Sequence, residues 1–353
     1  MNRGFWKDKR VFLTGHTGFK GGWLALWLAD MGAEVHGYAL ESPTQPNFIE
    51  ACDILPRLHS HVVSDIRDVA ALVRAMQHAK PQIVIHMAAQ SLVRLSYEEP
   101  VETFAINVMG TVSLLEAVRQ TRGIIAVVNV TTDKCYENRE WVWSYRESEA
   151  LGGYDPYSSS KGCSELVTTS YRRSFMEPAG IQLASARAGN VIGGGDWAKD
   201  RLIPDFLRAI DSGVALTIRS PNATRPWQHV LEPLSGYLTL AENLFVGGSE
   251  FAEAWNFGPE ETDARRVQWI VERLCALVPG STWCCDESPQ PHEANFLKLD
   301  SAKAKAKLGW YPKWKLEKAL ENTLLWHRDW RAGKNMSASS LAQIREYEAT
   351  VIS

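Results

Sequence analysis

The segment RVFLTGHTGFKGGWLALWLAD, residues 10–30, decides how the rest of the chain is organised. Its apolar run at residues 11–13 predicts a buried strand, and its apolar-rich second half predicts a helix. Between them, Gly15, Gly18 and Gly21 lie three residues apart, and without Cβ atoms a turn there lets backbone amides close on a phosphate. The helix that follows would point its positive end at the same phosphate. Three glycines are equally typical of an ordinary turn, but their position directly after a strand near the N-terminus favours phosphate binding.

Length and composition indicate a globular protein larger than one small module. The chain has 353 residues, 45% hydrophobic and 22% charged, which fits one α/β domain with an appended lobe. A net charge of -3 gives no electrostatic footprint for nucleic acid. No stretch approaches the roughly 18 consecutive apolar residues of a membrane helix, and the charged N-terminus lacks the apolar run of a signal peptide. Six cysteines without a C-x-x-C pair are typical of reduced thiols. We therefore predict a cytoplasmic protein with no membrane or nucleic-acid partner.

Strand-like and helix-like runs alternate through the first half of the chain. We predict strands at residues 34–39, 61–64, 82–86, 124–130 and 182–186, and helices at residues 19–31, 67–78 and 100–119 and from Tyr157 onwards. This alternation is typical of an α/β fold with a Rossmann-type, doubly wound parallel sheet and helices on both faces. Ligands of such sheets bind outside the carboxyl ends of the strands, so the loops after those strands should face one cleft.

The character of the sequence changes after Arg187. Residues 189–195 are glycine-rich, and short strands at 216–218 and 255–257 then mix with helices at 202–212, 233–245, 266–277, 301–308 and 316–330. We predict that residues 1–188 form the cofactor-binding domain, with residues 230–258 returning to it. Residues 189–229 and 259–353 would form a smaller C-terminal lobe that binds the substrate.

The end of the second predicted strand bears on the choice of cofactor. A dinucleotide site places an acidic residue about 20 residues beyond the glycines to hold the adenosine ribose. Glu41 lies slightly late for this role, and a solvated loop carboxylate is the alternative. Residues 37–56 contain no lysine or arginine to pair with a 2′-phosphate. The pattern favours NAD over NADP.

Tyr157 and Lys161 carry the first candidate chemistry. A phenol and an ammonium four residues apart on a helix lie on one face. The positive charge lowers the pKa of the phenol, which can turn a tyrosine into a base near neutral pH. Tyr311 and Lys315 repeat the spacing in a stretch that contains proline and tryptophan, and we interpret that pair as structural. Only Tyr157 lies on the helix after the strand at residues 124–130, where it would face the cofactor.

Thr132, Asp133 and Lys134 lie at the carboxyl end of that strand. A hydroxyl, a carboxylate and an amine crowded together are a poor choice for folding alone, although capping of the strand end is an alternative. Their position beside the predicted cofactor site indicates a second acid–base centre.

Five motifs occur in the order found in the extended short-chain dehydrogenase/reductases that act on nucleotide sugars. They are Gly15-x-x-Gly18-x-x-Gly21, His86-Met87-Ala88-Ala89-Gln90, Asn107-Val108-Met109-Gly110-Thr111, Thr132-Asp133 and Tyr157-x-x-x-Lys161. Within that group, Thr132-Asp133 resembles the nucleotide-sugar 4,6-dehydratases rather than the epimerases. The commoner dehydratase motif is Thr-Asp-Glu, and Lys134 stands in place of the glutamate. That replacement is similar to the CDP-glucose branch of the family, as are residues 14–21, 187–197 and 225–230.

The resemblance implies a reaction with an internal redox cycle. The family oxidises the sugar at C4, eliminates water across C5 and C6 and returns the hydride to C6, so NAD is regenerated in every turnover. By this resemblance, Tyr157 takes the C4 hydroxyl proton, Lys161 holds the nicotinamide ribose and Thr132 bonds the C4 oxygen. Asp133 would protonate the leaving C6 hydroxyl. Lys134 is either the C5 base, which requires that it be neutral, or a cation that stabilises the enolate.

The resemblance also implies binding residues. The cofactor set is Gly15, Thr17, Gly18, Phe19, Gly21, Glu41, Asp65, Ile66, Ala88, Ala89, Gln90, Asn107, Tyr157 and Lys161. The substrate set is Thr132, Asn190, Arg219 and Arg225, in which the arginines suit a diphosphate. The alternatives are a helix N-cap for Asp65, a satisfied helix-start asparagine for Asn107 and a solvent-facing cation for Arg219. His16 and His86 are interpreted as turn or core residues, and no metal is expected because no grouping has metal-ligand spacing.

Two competing functions stay open at this point. The first is a nucleotide-sugar 4-epimerase or a 4,6-dehydratase of another nucleoside diphosphate hexose, and the second is an NAD-binding regulatory protein without catalysis. The dehydratase resemblance implies a cytoplasmic lyase of deoxysugar biosynthesis, with lipopolysaccharide O-antigen as a destination. It also implies a homodimer or dimer of dimers that packs the helices near residues 100–119 and 157–175 against their mates.

Overall fold

The structure, a computed structural model, describes residues 1–286, 288 and 294–351. These residues form twelve strands, β1 to β12: Arg10–Thr14, Glu34–Ala39, Ser60–Val63, Ile83–His86, Ala126–Val130, Gln182–Ala188, Asn190–Ile192, Leu216–Ile218, Thr224–His229, Ala254–Phe257, Ala264–Arg266 and Trp283–Cys285. They also form thirteen α-helices, α1 to α13: Arg3–Trp6, Phe19–Asp30, Phe48–Ala51, Val69–Ala79, Val93–Glu98, Pro100–Phe104, Gly110–Arg119, Pro156–Tyr171, Leu202–Ser212, Leu231–Gly247, Val267–Leu277, Leu316–Arg331 and Met336–Ala349. Wider π-type turns lie at Ala105–Met109, Arg172–Met176 and Ala304–Leu308.

Seven strands form one parallel sheet in the order β10-β6-β5-β4-β1-β2-β3. The strand order reverses at β1, where Val11 lies opposite Val35 of β2 on one side and Ile83 of β4 on the other. The predicted doubly wound α/β fold is therefore confirmed. The crevice outside the carboxyl ends of β1 and β4 is where ligands of such sheets bind.

The strands of this sheet are buried on both faces. Val11 and Leu13 pack in one layer with α2 and α10, whereas Phe12 packs in the other layer with α4 and α7. All three side chains are at most 1% exposed. Burial on both faces explains why β1 reads as a continuous apolar run rather than as an alternating one.

The second half of the chain adds two small sheets, one in the order β11-β9-β7 and one that pairs β12 with β8. In sequence, β10 lies between β9 and β11, but it pairs with β6 of the main sheet. Helix α10 packs on β5 and β6. The last helix, α13, packs on α2, where the rings of Trp27 and Tyr347 meet at 5.8 Å between centroids.

The predicted elements lie within two residues of their observed ends, with informative differences. The predicted helix at residues 100–119 is one helical stretch whose middle widens into the π-type turn Ala105–Met109. The sequence patterns do not predict β9, because Pro226 interrupts it, or α13, because serines share its buried face. By length and composition alone, Pro100–Arg119 also qualifies as a membrane-crossing helix, but half of it is buried inside the protein, as in a core helix.

Candidate active site

The glycine turn after β1 is built by close backbone approach. Gly15 has a φ of +75°, and a Cβ there would lie 2.6 Å from the backbone nitrogen of Ala88. A Cβ on Gly21 would lie 2.1 Å from the carbonyl oxygen of Gly15. No side chain caps the first turn of α2, which begins after Gly18. The turn and the uncapped helix start therefore fit a dinucleotide diphosphate, as the sequence predicts.

A cavity of about 350 Å³ adjoins this turn at the end of β2. Thr17, Glu41 and His61 are among its lining residues, and the Thr17 hydroxyl donates to the carbonyl oxygen of Leu40 at 2.9 Å. The structure thus places Glu41 at a cavity beside the glycine turn.

Asp65 and Ile66 follow β3, and the helix-cap interpretation of Asp65 is wrong. Asp68 caps α4 by accepting from the amide of Ala71, whereas the carboxylate of Asp65 pairs with the guanidinium of Arg67 at 2.6 Å. Ile66 is buried and packs against Gly110 at the start of α7.

Two histidines near the turn are neutral structural residues, as interpreted from the sequence. His86 Nδ1 lies 2.7 Å from the hydroxyl of Thr14, and burial lowers the pKa of His86 to about 3. His16 Nε2 lies 2.7 Å from His61 Nδ1, and burial, followed by the neighbouring His61, lowers the pKa of His16 to about 4.

Asn107 joins the loop after β4 to the helix that carries the candidate base. Its side-chain oxygen accepts from the amide of Gln90, and its side-chain nitrogen donates to the carbonyl of Gln90 and to the Ser160 hydroxyl at 2.8 Å. Asn107 lies in the π-type turn in the middle of a helical stretch, so the helix-start interpretation is wrong. Its position fixes Ser160, the neighbour of Lys161, relative to the segment Ala88–Ala89–Gln90.

Asp133 is buried at the end of β5. The Thr132 hydroxyl donates to Asp133 Oδ1 at 3.0 Å, and Asp133 Oδ2 has no hydrogen-bond partner among the described residues. Asp133 is 1% exposed, and burial raises its pKa although Lys134 and Arg225 oppose the rise. A carboxyl whose pKa is raised by burial is suited to donate a proton. Lys134, in contrast, is only partly buried.

Tyr157 lies in the first turn of α8, where Asp155 caps the helix by accepting from the amide of Ser158. Burial raises the pKa of Tyr157 to about 12, and the nearby Thr132 hydroxyl opposes the rise. The expectation that Lys161 lowers this pKa is therefore wrong for the protein without its cofactor, because burial dominates and Arg201 is the cation that opposes it. Lys161 donates to the carbonyl of Val130 at 3.4 Å, and burial lowers its own pKa to about 8.

Three of the four predicted substrate residues, Asn190, Arg219 and Arg225, lie in the second half of the chain. Arg225 is buried on β9, and its charge opposes the rise in the pKa of Asp133. Asn190 begins β7, the neighbour of β9. Arg219 pairs with Asp200 at 2.6 Å and is about a quarter exposed, which makes it a partly buried ion-pair member rather than a free surface cation.

Sequence patterns do not reveal two further cations in the pocket. Lys20, inside the glycine turn, donates to the Tyr237 hydroxyl at 3.2 Å, and burial, followed by Lys161 and Arg201, lowers its pKa to about 7. Arg201 donates to Asp196 and to the Ser91 hydroxyl, both at 2.9 Å, and its charge opposes the raised pKa of Tyr157. A lysine among the glycines of the turn is the one sequence signal that points to Lys20.

A buried ion pair supports the catalytic strand end from beneath. Glu165 and Arg187 form two bonds, Nε to Oε1 and a terminal nitrogen to Oε2, both at 2.9 Å, and both side chains are at most 3% exposed. Glu165 also accepts from the hydroxyls of Thr131 and Ser185. Burial alone would raise the pKa of Glu165, but the charge of Arg187 and these hydrogen bonds outweigh it and lower the pKa. The pair fixes the backbone from which Thr132 and Asp133 project.

Comparison with known proteins places the chain in a family. The family model described as GDP-mannose 4,6 dehydratase matches residues 12–323. The chain belongs to this dehydratase family. Its similarity to the CDP-glucose 4,6-dehydratase of Salmonella typhimurium is 54% identity over 353 residues, which cover 98% of each chain.

Solved structures of the dehydratase family share the fold. The dTDP-glucose 4,6-dehydratase DesIV of Streptomyces venezuelae, solved with NAD bound, is 26% identical with a TM-score of 0.74, covering 93% of this chain and 99% of that one. A UDP-glucose-4-epimerase of Stenotrophomonas maltophila, also solved with NAD, is 19% identical with a TM-score of 0.79, covering 92% and 100%. The second likeness shows the fold alone. Among the described residues, no three His, Cys, Asp or Glu side chains come together as a metal site.

Proposed function

We propose that this protein catalyses the NAD-dependent 4,6-dehydration of a nucleotide-activated hexose, with CDP-glucose as substrate and CDP-4-keto-6-deoxyglucose as product. The observation that carries the proposal is the buried carboxyl of Asp133 at the end of β5, which accepts from the Thr132 hydroxyl at 3.0 Å close enough to Tyr157 for both side chains to shift the pKa of that phenol. An epimerase needs a base for the C4 hydroxyl, but it has no use for a buried acid beside it. The identity to the Salmonella enzyme supports the cytidine nucleotide.

The roles of the residues follow from their protonation states. Bound NAD would supply the hydride chemistry, as acceptor from C4 of the sugar and as donor to C6. Tyr157 as phenolate takes the proton of the C4 hydroxyl, while Thr132 holds the C4 oxygen and Lys161 the nicotinamide ribose. Asp133 gives a proton to the leaving C6 hydroxyl, a role that suits a carboxyl whose pKa is raised by burial.

The base that removes the C5 proton is an amine. Lys134 is our first assignment, since it adjoins Asp133 at the same strand end. A second candidate is Lys20, because a pKa of about 7 leaves much of this amine neutral at neutral pH. Whichever of the two is not the base remains a cation that stabilises the enolate.

Binding roles extend outward from this centre. Asn190, Arg219 and Arg225 would contact the substrate diphosphate. Gly15, Thr17, Gly18, Phe19 and Gly21 would contact the cofactor diphosphate, Glu41 the adenosine ribose, and Asp65 and Ile66 the adenine. Ala88, Ala89, Gln90 and Asn107 would complete the cofactor site. In this assignment, residues 1–188 and 230–258 hold the cofactor, and residues 189–229 and 259–353 hold the nucleotide sugar.

The proposal also includes the oligomeric state, the cellular location and the biosynthetic role of the protein. Apolar side chains stay exposed on the helices that the family pairs between subunits: Val101, Met109, Leu166 and Phe175. They support a homodimer or a dimer of dimers formed through residues 100–119 and 157–175. We propose a cytoplasmic enzyme of deoxysugar biosynthesis that serves lipopolysaccharide O-antigen.

The direct test incubates the protein and NAD with glucose linked to CDP, dTDP, UDP or GDP, followed by measurement of the 4-keto-6-deoxy sugar by its absorbance in strong base. CDP-glucose should give the fastest turnover. Faster turnover of the dTDP-, UDP- or GDP-linked sugar would change the assigned nucleotide but would still support 4,6-dehydration. Conversion to a C4 epimer would establish the epimerase alternative, and NAD binding without any product would establish the regulatory one.

A further inference from the structure

The cavity beside the glycine turn receives carboxylates from two separate segments of the chain. Glu41 lies shortly after β2, and Glu50 lies in α3. Thr17 of the glycine turn and His61 of β3 line the same cavity. The sequence pattern of dinucleotide sites places an acidic residue near the end of the second strand, which accounts for Glu41. No such pattern singles out Glu50, and only the fold brings it to this cavity.

Aromatic packing fixes the position of α3. Phe48, the first residue of α3, stacks on Trp23 of α2 with 4.9 Å between ring centroids and 25° between ring planes. A Cβ on Gly22 of α2 would lie 2.7 Å from the ring of Phe48, so the glycine lets α3 approach α2 this closely. Phe48 is 1% exposed and Trp23 is fully buried. Because α2 begins at the glycine turn, this packing holds Glu50 in a fixed place relative to the predicted diphosphate site.

A ring of polar side chains holds the carboxylate of Glu50. Gln45 donates through Nε2 to Glu50 Oε2 at 3.0 Å, and Asn47 donates through Nδ2 to Gln45 Oε1 at 3.1 Å. Asn47 closes the ring, because its Oδ1 accepts from the backbone amide of Glu50 at 2.9 Å. Asn47 is 3% exposed, which makes it a fixed anchor for the other two side chains. The side chains of Asn47 and Gln45 also lower the pKa of Glu50, so its carboxylate is ionised at neutral pH.

No lysine or arginine balances these charges in the described part of the cavity lining. Within that part, His61 is the one side chain that can become positive, and its Nδ1 lies 2.7 Å from His16 Nε2. Two carboxylates can accept hydrogen bonds from the two hydroxyls of a ribose. A phosphate on the 2′ oxygen instead brings about -1.5 to -2 charge at neutral pH, and like charges repel it.

We propose that Glu50 is a specificity-determining residue for the cofactor, which acts with Glu41 to accept a ribose 2′-hydroxyl and to repel a 2′-phosphate. NADP is thus excluded by charge, in addition to the lack of a cation that would bind its phosphate. The inference rests on the proposed function for one point, the placement of the adenosine ribose in this cavity.

The substitution Glu50→Gln tests the charge and keeps the shape of the side chain. Isothermal titration calorimetry measures Kd for NAD and for NADP with the full chain freed of nucleotide, without nucleotide sugar, at pH 8 and about 0.01 M salt, where screening is weak. The ratio of Kd for NADP to Kd for NAD should fall about tenfold in Glu50→Gln. An unchanged ratio would overturn the proposal.

Glu272→Gln is the matched control. Glu272 is an exposed carboxylate on α11 that accepts from Gln268 at 2.7 Å, much as Glu50 accepts from Gln45, and it does not line the described cavity. The Kd ratio of Glu272→Gln should equal that of the wild type. An equal fall of the ratio in both variants would mean that the net charge of the protein, and not Glu50, sets the preference.

Charge reversal and salt give a second measurement. Glu50→Lys should bind NADP more tightly than Glu50→Gln does, and the wild-type Kd ratio should fall as salt rises to about 0.5 M. A wild type that binds NADP as tightly as NAD, or a ratio that salt does not change, would overturn the role of Glu50. These titrations need no catalysis. Failure to form a 4-keto-6-deoxy sugar would therefore reject the proposed function and leave the test of Glu50 intact.

Discussion

At the scale of single residues, burial separates the candidate catalytic groups from look-alikes in the same chain. Tyr157 and Lys161 share their spacing with Tyr311 and Lys315. Tyr157 is 7% exposed and begins a long helix, whereas Tyr311 is 40% exposed and lies outside any helix. The raised pKa of Tyr157 follows from this burial.

Replacement of Tyr157 by phenylalanine should remove the base for the C4 hydroxyl. We expect kcat to fall by about 10²- to 10⁴-fold, the usual contribution of a general base. Reduction of bound NAD on addition of substrate, read by absorbance, should be lost in parallel. Tyr311→Phe is the matched control and should keep the wild-type rate. Unchanged NAD reduction in Tyr157→Phe would reject the assignment.

The two amines of the pocket can be separated by Lys134→Met and Lys20→Met. We expect Lys134→Met to oxidise C4 and then stop before water leaves, since the C5 proton has no acceptor. The measurement is exchange of the C5 hydrogen with deuterated solvent, by mass spectrometry. If exchange is lost in Lys20→Met and kept in Lys134→Met, Lys20 is the base and Lys134 stabilises the enolate.

At the scale of secondary-structure elements, the pair of Glu165 on α8 and Arg187 on β6 joins the helix of the base to the strand beside the acid. Arg187→Met leaves a buried carboxylate without its partner, which should lower the free energy of unfolding by about 3–5 kcal/mol. Urea denaturation measures this loss. Arg119→Met, which breaks an exposed pair with Glu116 on α7, is the control and should leave the midpoint near that of the wild type. Equal midpoints for the two variants would contradict the bracing role of the buried pair.

What the sequence predicts at this scale depends on how local the signal is. The glycine turn, the strand ends and the pair of Tyr157 and Lys161 are local patterns, and the structure places them as expected. Lys20, Arg201 and Tyr237 come from three segments that are distant in sequence. No residue spacing therefore predicts that they lie close together in the fold. The sequence likewise does not predict the ion pair of Glu165 and Arg187, because one lies on a helix and the other on a strand and only the tertiary fold brings them together. The four-residue spacing of Tyr157 and Lys161 does not predict the raised pKa of Tyr157 in the cofactor-free protein, because burial depends on the whole fold.

At the scale of the whole molecule, Glu232 ties the C-terminal segment to the main body. Its carboxylate, at the start of α10, accepts from the amides of Lys313 and Trp314 and from the Tyr347 hydroxyl of α13. Burial raises the pKa of Glu232 from 4.5 to about 7, although these hydrogen bonds oppose the rise.

This raised pKa makes stability depend on pH. The folded state holds a proton on Glu232 that the unfolded chain releases above pH 4.5, so the contribution is full below that pH and is lost as the pH rises through about 7. The loss should be about 3 kcal/mol. Urea denaturation of the wild type and of Glu232→Gln between pH 4.5 and 7 measures this loss. The free energy of unfolding should fall more steeply with pH in the wild type than in Glu232→Gln. Parallel profiles would show that Glu232 titrates alike in the folded and unfolded states.

In the proposed function, a phenol, a hydroxyl and a carboxyl act on a single hexose beside NAD. The measurement that tests this most directly uses CDP-glucose with deuterium at C4 and locates the label in the product by NMR. We expect the deuterium to move to C6 of the 4-keto-6-deoxy sugar, because the same cofactor takes and returns it. Deuterium retained at C4 of an epimer, or lost to solvent, would contradict the proposed dehydration.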